Sequence, residues 1–365
     1  MTQSILHSQH ESLGAQFQSI EEWEIPVHYG DPVAEYLAVR QHVGIADLSH
    51  RGKILVTGDD RIAWLQSIIS NDLLPLESGQ GLYSSIMNHK GKMLSYFRVY
   101  RLEEALLVED VGEIGNATFQ TFRKFLLYGT KAKMNDSRET LGQLLVSGPK
   151  AGHLIQQALG FEIEHLPVLH FSKQNVNGHQ AILARTEETG ETDLTVFIPR
   201  DGFVPIWEKL WEVGKTLKLH PFGTVARKSL RIEAGHPHVG PDLNEDIVPP
   251  EANLEGKAFS LSKGCYPGQE VVARMDTYGT VKRRLVGLVL EVPSDHLPLE
   301  KAKLFSGTRE VGWVSSAVHS PILQKTIALG FSLRDFTKPD TALTVESNGT
   351  HYPGVVQTLP FSFSP

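Results

Sequence analysis

From Arg283 onward the chain reads as one short β-forming run after another: RLVGLVLEV, REVGWVSSAV, TIALGFSL and TALTVES, parted by Pro, Gly, Ser and Asp. Such a series buries its apolar faces strand against strand, so a small antiparallel barrel or a sandwich is expected. The earlier part has another texture. DPVAEYLAVRQHVG carries Val33, Leu37 and Val43 at broadly helical spacing, with Gly44 as a C-cap. RGKILVTG reads as a strand, and DDRIAWLQSIISND as an amphipathic helix with Ile62, Leu65, Ile68 and Ile69 on one side. GLYSSIMNHKGKMLSYFRVYRL suggests two strands joined by a turn from Asn88 to Gly91. ALLVEDVG continues the sheet and NATFQTFRKFLLYGT returns to helix. QLLVSGPKAGHLIQQALG repeats strand, glycine turn and helix, as does TDLTVFIPRDGFVPIWEKLWEVG, with Trp207, Leu210 and Trp211 on its buried side. Helices and strands mix without strict alternation, so the class is α+β, and 365 residues imply two or three domains.

Hydrophobic residues at 41% and charged residues at 21% indicate a folded chain rather than a disordered one. A net charge of -7 argues against broad nucleic-acid binding. Lys282, Arg283 and Arg284 form the most compact basic cluster, read as a solvated strand end. The single cysteine, Cys265, excludes an internal disulfide and a Cys-rich metal site, which makes a reducing compartment the simplest setting. The N-terminal MTQSILHSQHESLGAQ lacks the marks of a signal or transit peptide, and no apolar run reaches the roughly 18 residues of a membrane span. A cytoplasmic protein is expected.

Neither a GxxxxGK[ST] phosphate loop nor a GxGxxG turn is present, which removes support for ATP and NAD. The pair His236 and His238 lacks zincin spacing and reads as loop, so no metal site is assigned. Glu233, Asp242, Glu245, Asp246 and Glu251 crowd a stretch too rich in Gly and Pro for one helix and with the wrong spacing for an EF-hand. The run KGCYPGQE is different. Gly264 and Gly268 remove side chains that would block close backbone approach, Pro267 restrains the turn, and Lys263 favours a thiolate at Cys265. A buried cysteine acting as a small apolar group fits the same residues, and a Cys-His hydrolase needs a histidine whose proximity no sequence shows.

Together PVHYG, AVRQHVGIADLSHRGKILVTG, SNDL, LYSSIMNHKGK, TGE at 189 to 191, LRIEAGHPHVG and VGWVSSAVHSP resemble, in order and over nearly the whole chain, the glycine-cleavage T-protein, a tetrahydrofolate-dependent aminomethyltransferase. KGCYPGQE resembles the K-G-C-Y-x-G-Q-E signature of the YgfZ-type folate-binding branch, associated with iron-sulfur cluster assembly or repair. The resemblance implies a three-domain cloverleaf of two α+β domains and a C-terminal antiparallel β-barrel around a folate-binding opening. It places one α+β domain at 1–50 and 140–245, the second at 51–139 and 246–280, and the barrel at 281–365.

The resemblance also implies tetrahydrofolate or a derivative as cofactor, with Tyr83, Glu191 and Arg231 as folate contacts. A ring stacks on the pterin, a carboxylate pairs with its amino-pyrimidine edge and an arginine holds a carboxylate tail. Iron-sulfur assembly proteins or iron-sulfur enzymes are the implied partners. Cys265 is the implied reactive group with Lys263 tuning it, while Gly264, Tyr266, Gly268, Gln269 and Glu270 support the loop. Three positions depart from the T-protein pattern. Its aspartate pair is replaced by Ser95 and Tyr96, and its second acidic pterin position falls near Thr195. Neither Ser95 nor Tyr96 accepts a proton near neutral pH as a carboxylate does, and losing such a base removes about 10²-fold to 10⁴-fold of rate. The leading expectation is therefore a folate-binding accessory protein of iron-sulfur metabolism. The alternatives are a folate-dependent aminomethyl or methyl transferase using Asp72 or Glu191 as its acid, and a non-enzymatic module that presents folate to another protein.

Overall fold

The computed structural model describes residues 2–362 except 114, 115, 164 and 280. The chain divides into two compact units, Met1–Gln66 with Leu73–Leu82 and Phe97–Arg227, and Ser67–Asp72 with Tyr83–Tyr96 and Lys228–Pro365. No helix among the described residues is long and apolar enough to cross a membrane.

In the first unit a six-stranded sheet runs in the order Phe171–Val176, His179–Thr186, Asp193–Pro199, Leu141–Ser147, Val43–Asp47 and Leu219–Pro221. All pairings are antiparallel except the last. The helices Ala151–Leu159 and Arg200–Gly214 close over an apolar cluster that includes Val146, Leu154, Ile155, Val196, Ile206 and Leu210. Trp207 and Leu210 are buried as their spacing predicts, while Trp211 is half-buried and stacks on Trp207. The helix Pro32–Gln41 starts at Asp31, whose carboxylate accepts the N–H groups of Val33 and Ala34. Gly44 does not cap its end. It lies in the strand Val43–Asp47, where a Cβ would come within 2.4 Å of Val39 and 2.7 Å of Phe222.

A five-stranded sheet has the order Gly81–Met87, Met93–Arg101, Leu106–Asp110, Lys53–Thr57 and Lys133–Asp136. The expected turn joins its first two strands, with the Gly91 N–H donating to the Asn88 carbonyl at 2.9 Å. The following helix is shorter than the sequence suggested. It ends at Phe125, and LLYGT forms an exposed turn instead.

In the second unit six antiparallel strands, Arg283–Leu290, Lys325–Leu333, Arg309–Ser320, Lys303–Ser306, Ala342–Ser347 and Thr350–Gln357, close into a barrel. Closure pairs both edges of what would otherwise be an open sheet, and Leu288, Leu304, Val314, Ala328 and Val345 fill the interior. The barrel reading of the C-terminal β runs therefore holds over the sandwich.

Candidate functional site

The Lys263–Gln269 loop is tied down by every second or third side chain. Lys263 and Tyr266 are buried, whereas Gly264 and Cys265 are exposed. The Lys263 ammonium donates to the carbonyl oxygens of Ile69 at 2.6 Å and Asn71 at 3.3 Å and lies 5.2 Å from the Tyr266 ring centroid. Burial lowers its pKa to about 8 against the pull of Asp72. Tyr266 donates its hydroxyl to the Ser260 carbonyl, and burial pushes its pKa up to about 12. The Gln269 amide reaches back to the Lys263 carbonyl at 3.1 Å. Beneath the loop, Ser70 donates to the Ala258 carbonyl at 2.7 Å and lies 2.8 Å from the Ser85 hydroxyl.

The two glycines have different reasons. Gly268 sits at φ +81°, and a Cβ there would lie 2.7 Å from the Asn88 carbonyl oxygen and 2.9 Å from Gly91 Cα. Both the left-handed backbone and the close approach exclude a side chain. Gly264 has open space where a Cβ would point, so close packing does not explain it. Glu270 is exposed and pairs with Arg274 one turn along the helix Gln269–Tyr278, a contact worth well under about 1 kcal/mol. A Gly268→Ala variant is expected to lose roughly 1–3 kcal/mol, since strained φ and backbone overlap add. Urea unfolding measures the loss, and alkylation of Cys265 by iodoacetamide reports whether the loop shifts with it.

Ser95 and Tyr96 are both buried at 4% exposure. Tyr96 stacks on Tyr83 with ring centroids 5.5 Å apart and planes 10° apart, and the Lys257 ammonium stands 4.7 Å from the Tyr83 centroid. The Ser95 hydroxyl has no hydrogen-bond partner among the described residues. An aromatic stack thus includes Tyr96, one of the two residues that the resemblance sets in place of the T-protein aspartate pair. Arg231 is engaged internally, with Asp242 at 2.9 Å, Ser316 at 2.8 Å and the His236 carbonyl at 3.1 Å. Asp242 also accepts from Ser315 and Ser316 on the barrel, so a ligand carboxylate would compete with an inner salt bridge.

Tyr83, Arg231 and the Cys265 loop belong to the second unit and Glu191 to the first. Glu191 pairs with Arg40 at 2.8 Å, and its backbone N–H donates to Thr189. The TGE turn is shaped by Asp193, a residue the sequence did not single out. Its buried carboxyl accepts the N–H groups of Glu188 and Thr189 and the Thr189 hydroxyl, and burial pushes its pKa to about 6. Thr195 is buried and shares a hydrogen bond with Thr186, so it offers no acid.

The first unit also holds a buried ionic network that sequence reading missed. Arg51 grips Glu188 through both terminal nitrogens at 2.5 and 2.9 Å. Arg98 reaches Glu109 at 3.0 Å and Glu188 at 3.1 Å, while Tyr100 and Gln143 donate to Glu109. Arg227 meets Glu113 at 2.5 Å, and His50 contacts the same carboxylate. The arginines hold Glu188 and Glu113 well below the usual carboxylate range.

Residues 6–261 match the GCVT N-terminal domain model and residues 283–362 the glycine cleavage T-protein C-terminal barrel domain. The chain belongs to the glycine-cleavage T-protein family. A curated aminomethyltransferase of Geobacillus sp. (strain WCH70) is 32% identical over 98% of this chain and 97% of its own length. Another from Chlorobium luteolum is 30% identical over 99% and 98%. The crystal structure of aminomethyltransferase T of the glycine cleavage system from Bartonella henselae superposes with a TM-score of 0.87 at 25% identity, covering 99% of this chain and 98% of that one. The T-protein fold, mixed α+β sheets with a closed C-terminal barrel, is thereby shared with these relatives.

Proposed function

We propose that this T-protein family member binds tetrahydrofolate or a derivative and serves as an accessory protein in iron-sulfur cluster assembly or repair, with the KGCYPGQE loop as its working element. The observation that carries this reading is the exposed Cys265 thiol on a loop whose Lys263, Tyr266 and Gln269 are all fastened inward. A thiolate is both a nucleophile and a metal ligand, so one presented cysteine suits transient sulfur or metal handling. Lys263 anchors the loop, and Gly268 sets the turn into the helix that follows. Tyr83 and Glu191 are the proposed pterin contacts, with Arg40 holding the Glu191 carboxylate in place. Arg231 is a third proposed folate contact, through its place in LRIEAG. The division into two discontinuous α+β domains and a barrel is part of this reading.

A second reading is favoured by the names of the full-length relatives: a folate-dependent aminomethyl or methyl transferase of the T-protein type. It requires a replacement acid, because Tyr96 is stacked on Tyr83 and Ser95 carries no carboxylate. The two readings separate in one experiment. Calorimetry with tetrahydrofolate is expected to show binding that weakens about tenfold or more in Glu191→Gln, a loss in keeping with one charged hydrogen bond of 1.5–3 kcal/mol. Assays over a panel of aminomethyl and N-methyl donors are expected to give no methylenetetrahydrofolate. Turnover would establish the transferase, and absence of binding would remove folate from both readings.

A further inference from the structure

Between the helix Ala117–Phe125 and the strand Lys133–Asp136 the chain makes a turn that the folate and thiol assignments leave unused. The Thr130 N–H donates to the Leu127 carbonyl at 3.2 Å, and Gly129 supplies the left-handed residue at φ +87°. Tyr128 therefore stands at the apex of a hydrogen-bonded turn with glycine at its third position. Both ends are pinned. The Trp64 indole N–H donates to the Phe125 carbonyl at 3.1 Å, and the Lys131 N–H donates to the Asp60 carboxylate at 2.8 Å. The tip is a preformed projection.

Its chemistry is out of keeping with a solvated turn. Leu127 is 73% exposed and Tyr128 108% exposed, so neither side chain gains anything from burial within this chain. Arg123, Lys124, Lys131 and Lys133 flank them along the chain, all exposed and without an ion-pair partner among the described residues. From Ala117 to Asn135 there is no Asp or Glu, although the whole chain carries a net charge of -7. An exposed apolar anchor flanked on both sides of the turn by unpaired cations suits an interface hot spot with a steering rim.

We propose that this turn docks an acidic protein surface, with Leu127 and Tyr128 entering an apolar notch and the four cations meeting carboxylates around it. Charge complementarity selects the partner's sign. A long single-stranded nucleic acid would need cations along a groove with successive stacking rings, and would meet the negative net charge of the chain. A lipid surface would need more apolar area than two side chains offer. Strand addition is not the mode, because Lys133 stands on the short edge strand and blunts it.

Fluorescence anisotropy on the full chain tests this with four probes: a labelled Glu/Leu peptide, its Lys/Leu counterpart, oligouridylate and phosphatidylserine vesicles. The Glu/Leu peptide is expected to bind best and to weaken with salt. Binding should fall about tenfold in the Leu127→Ser, Tyr128→Ser double variant, as when a hot-spot anchor is lost, and similarly in Lys124→Glu, Lys131→Glu. Both pairs are exposed, so unchanged thermal unfolding verifies that the fold is intact. Preference for oligouridylate or vesicles, equal binding of the Lys/Leu peptide, no binding, or indifference to both double variants would overturn the proposal.

Discussion

Replacing Asp110 by asparagine is expected to make the protein markedly more stable near pH 8 and to change little near pH 4. Asp110 ends the strand Leu106–Asp110, is 4% exposed, and pairs in register with Phe97. Burial pushes its carboxyl up from 3.8 to about 8, and Glu109 next to it adds to the shift. Thr118 opposes the shift, yet neither carboxyl oxygen has a hydrogen bond of normal geometry. The sign follows from proton counting. Between about pH 4 and pH 8 the folded chain keeps a proton that the unfolded chain has released, so stability is greatest below 4 and falls as pH rises towards 8. At about 1.4 kcal/mol per pKa unit the loss is on the order of 5 kcal/mol, reduced in practice by local relaxation. Asparagine keeps the shape and removes the titration. Urea unfolding from pH 5 to 9 should therefore show a flatter profile for the variant. Lys53, buried and lowered to about 7, acts in the opposite sense above that pH, where only the unfolded chain still binds its proton. Parallel profiles for variant and parent would show that Asp110 does not titrate in this range.

A loss of comparable size is expected from Arg98→Met. Arg98 is fully buried and joins Glu109 to Glu188. With the guanidinium gone, Arg51 still holds Glu188, but Glu109 keeps only the neutral donors Tyr100 and Gln143 at hydrogen-bond distance, with Arg51 farther off at 4.0 Å. Breaking one side of a buried ion pair costs about 3–5 kcal/mol, most of it the penalty of an uncompensated charge. Adding Glu109→Gln restores neutrality, so the double variant should recover a large part of the loss. The coupling from such a cycle, read as urea midpoints, separates charge balance from packing. Additive losses would mean that the two residues do not act as a pair.

How much of this was legible in the sequence depends on the range of the interaction. The barrel showed itself because each strand carries its own alternation and turn residues, and the Asn88–Gly91 hairpin turn because its chemistry is local. Gly44 misled because a glycine after a helical pattern looks like a cap, whereas here the close approach of Phe222 decides its role. LLYGT misled because its leucines continue the helical pattern, although Leu126 is only half-buried and Leu127 is exposed. The ionic network was invisible for a different reason. Arg51 and Glu188 lie 137 positions apart, and each charged residue, taken alone, reads as solvent-facing. At the candidate site, the motif KGCYPGQE singled out the loop on which the proposal rests. The inward grip of Lys263 on the Ile69 and Asn71 carbonyls came only from the fold.

The most direct measurement is complementation by Cys265→Ala in a cell lacking the protein, read as the activity of an iron-sulfur enzyme, with tetrahydrofolate calorimetry on the purified variant. Cys265 is exposed and its thiol makes no contact that the loop depends on for its anchoring. The variant is therefore expected to fold and to bind folate like the parent, yet to restore none of the enzyme activity that the parent restores. Full restoration by Cys265→Ala would contradict the thiol role.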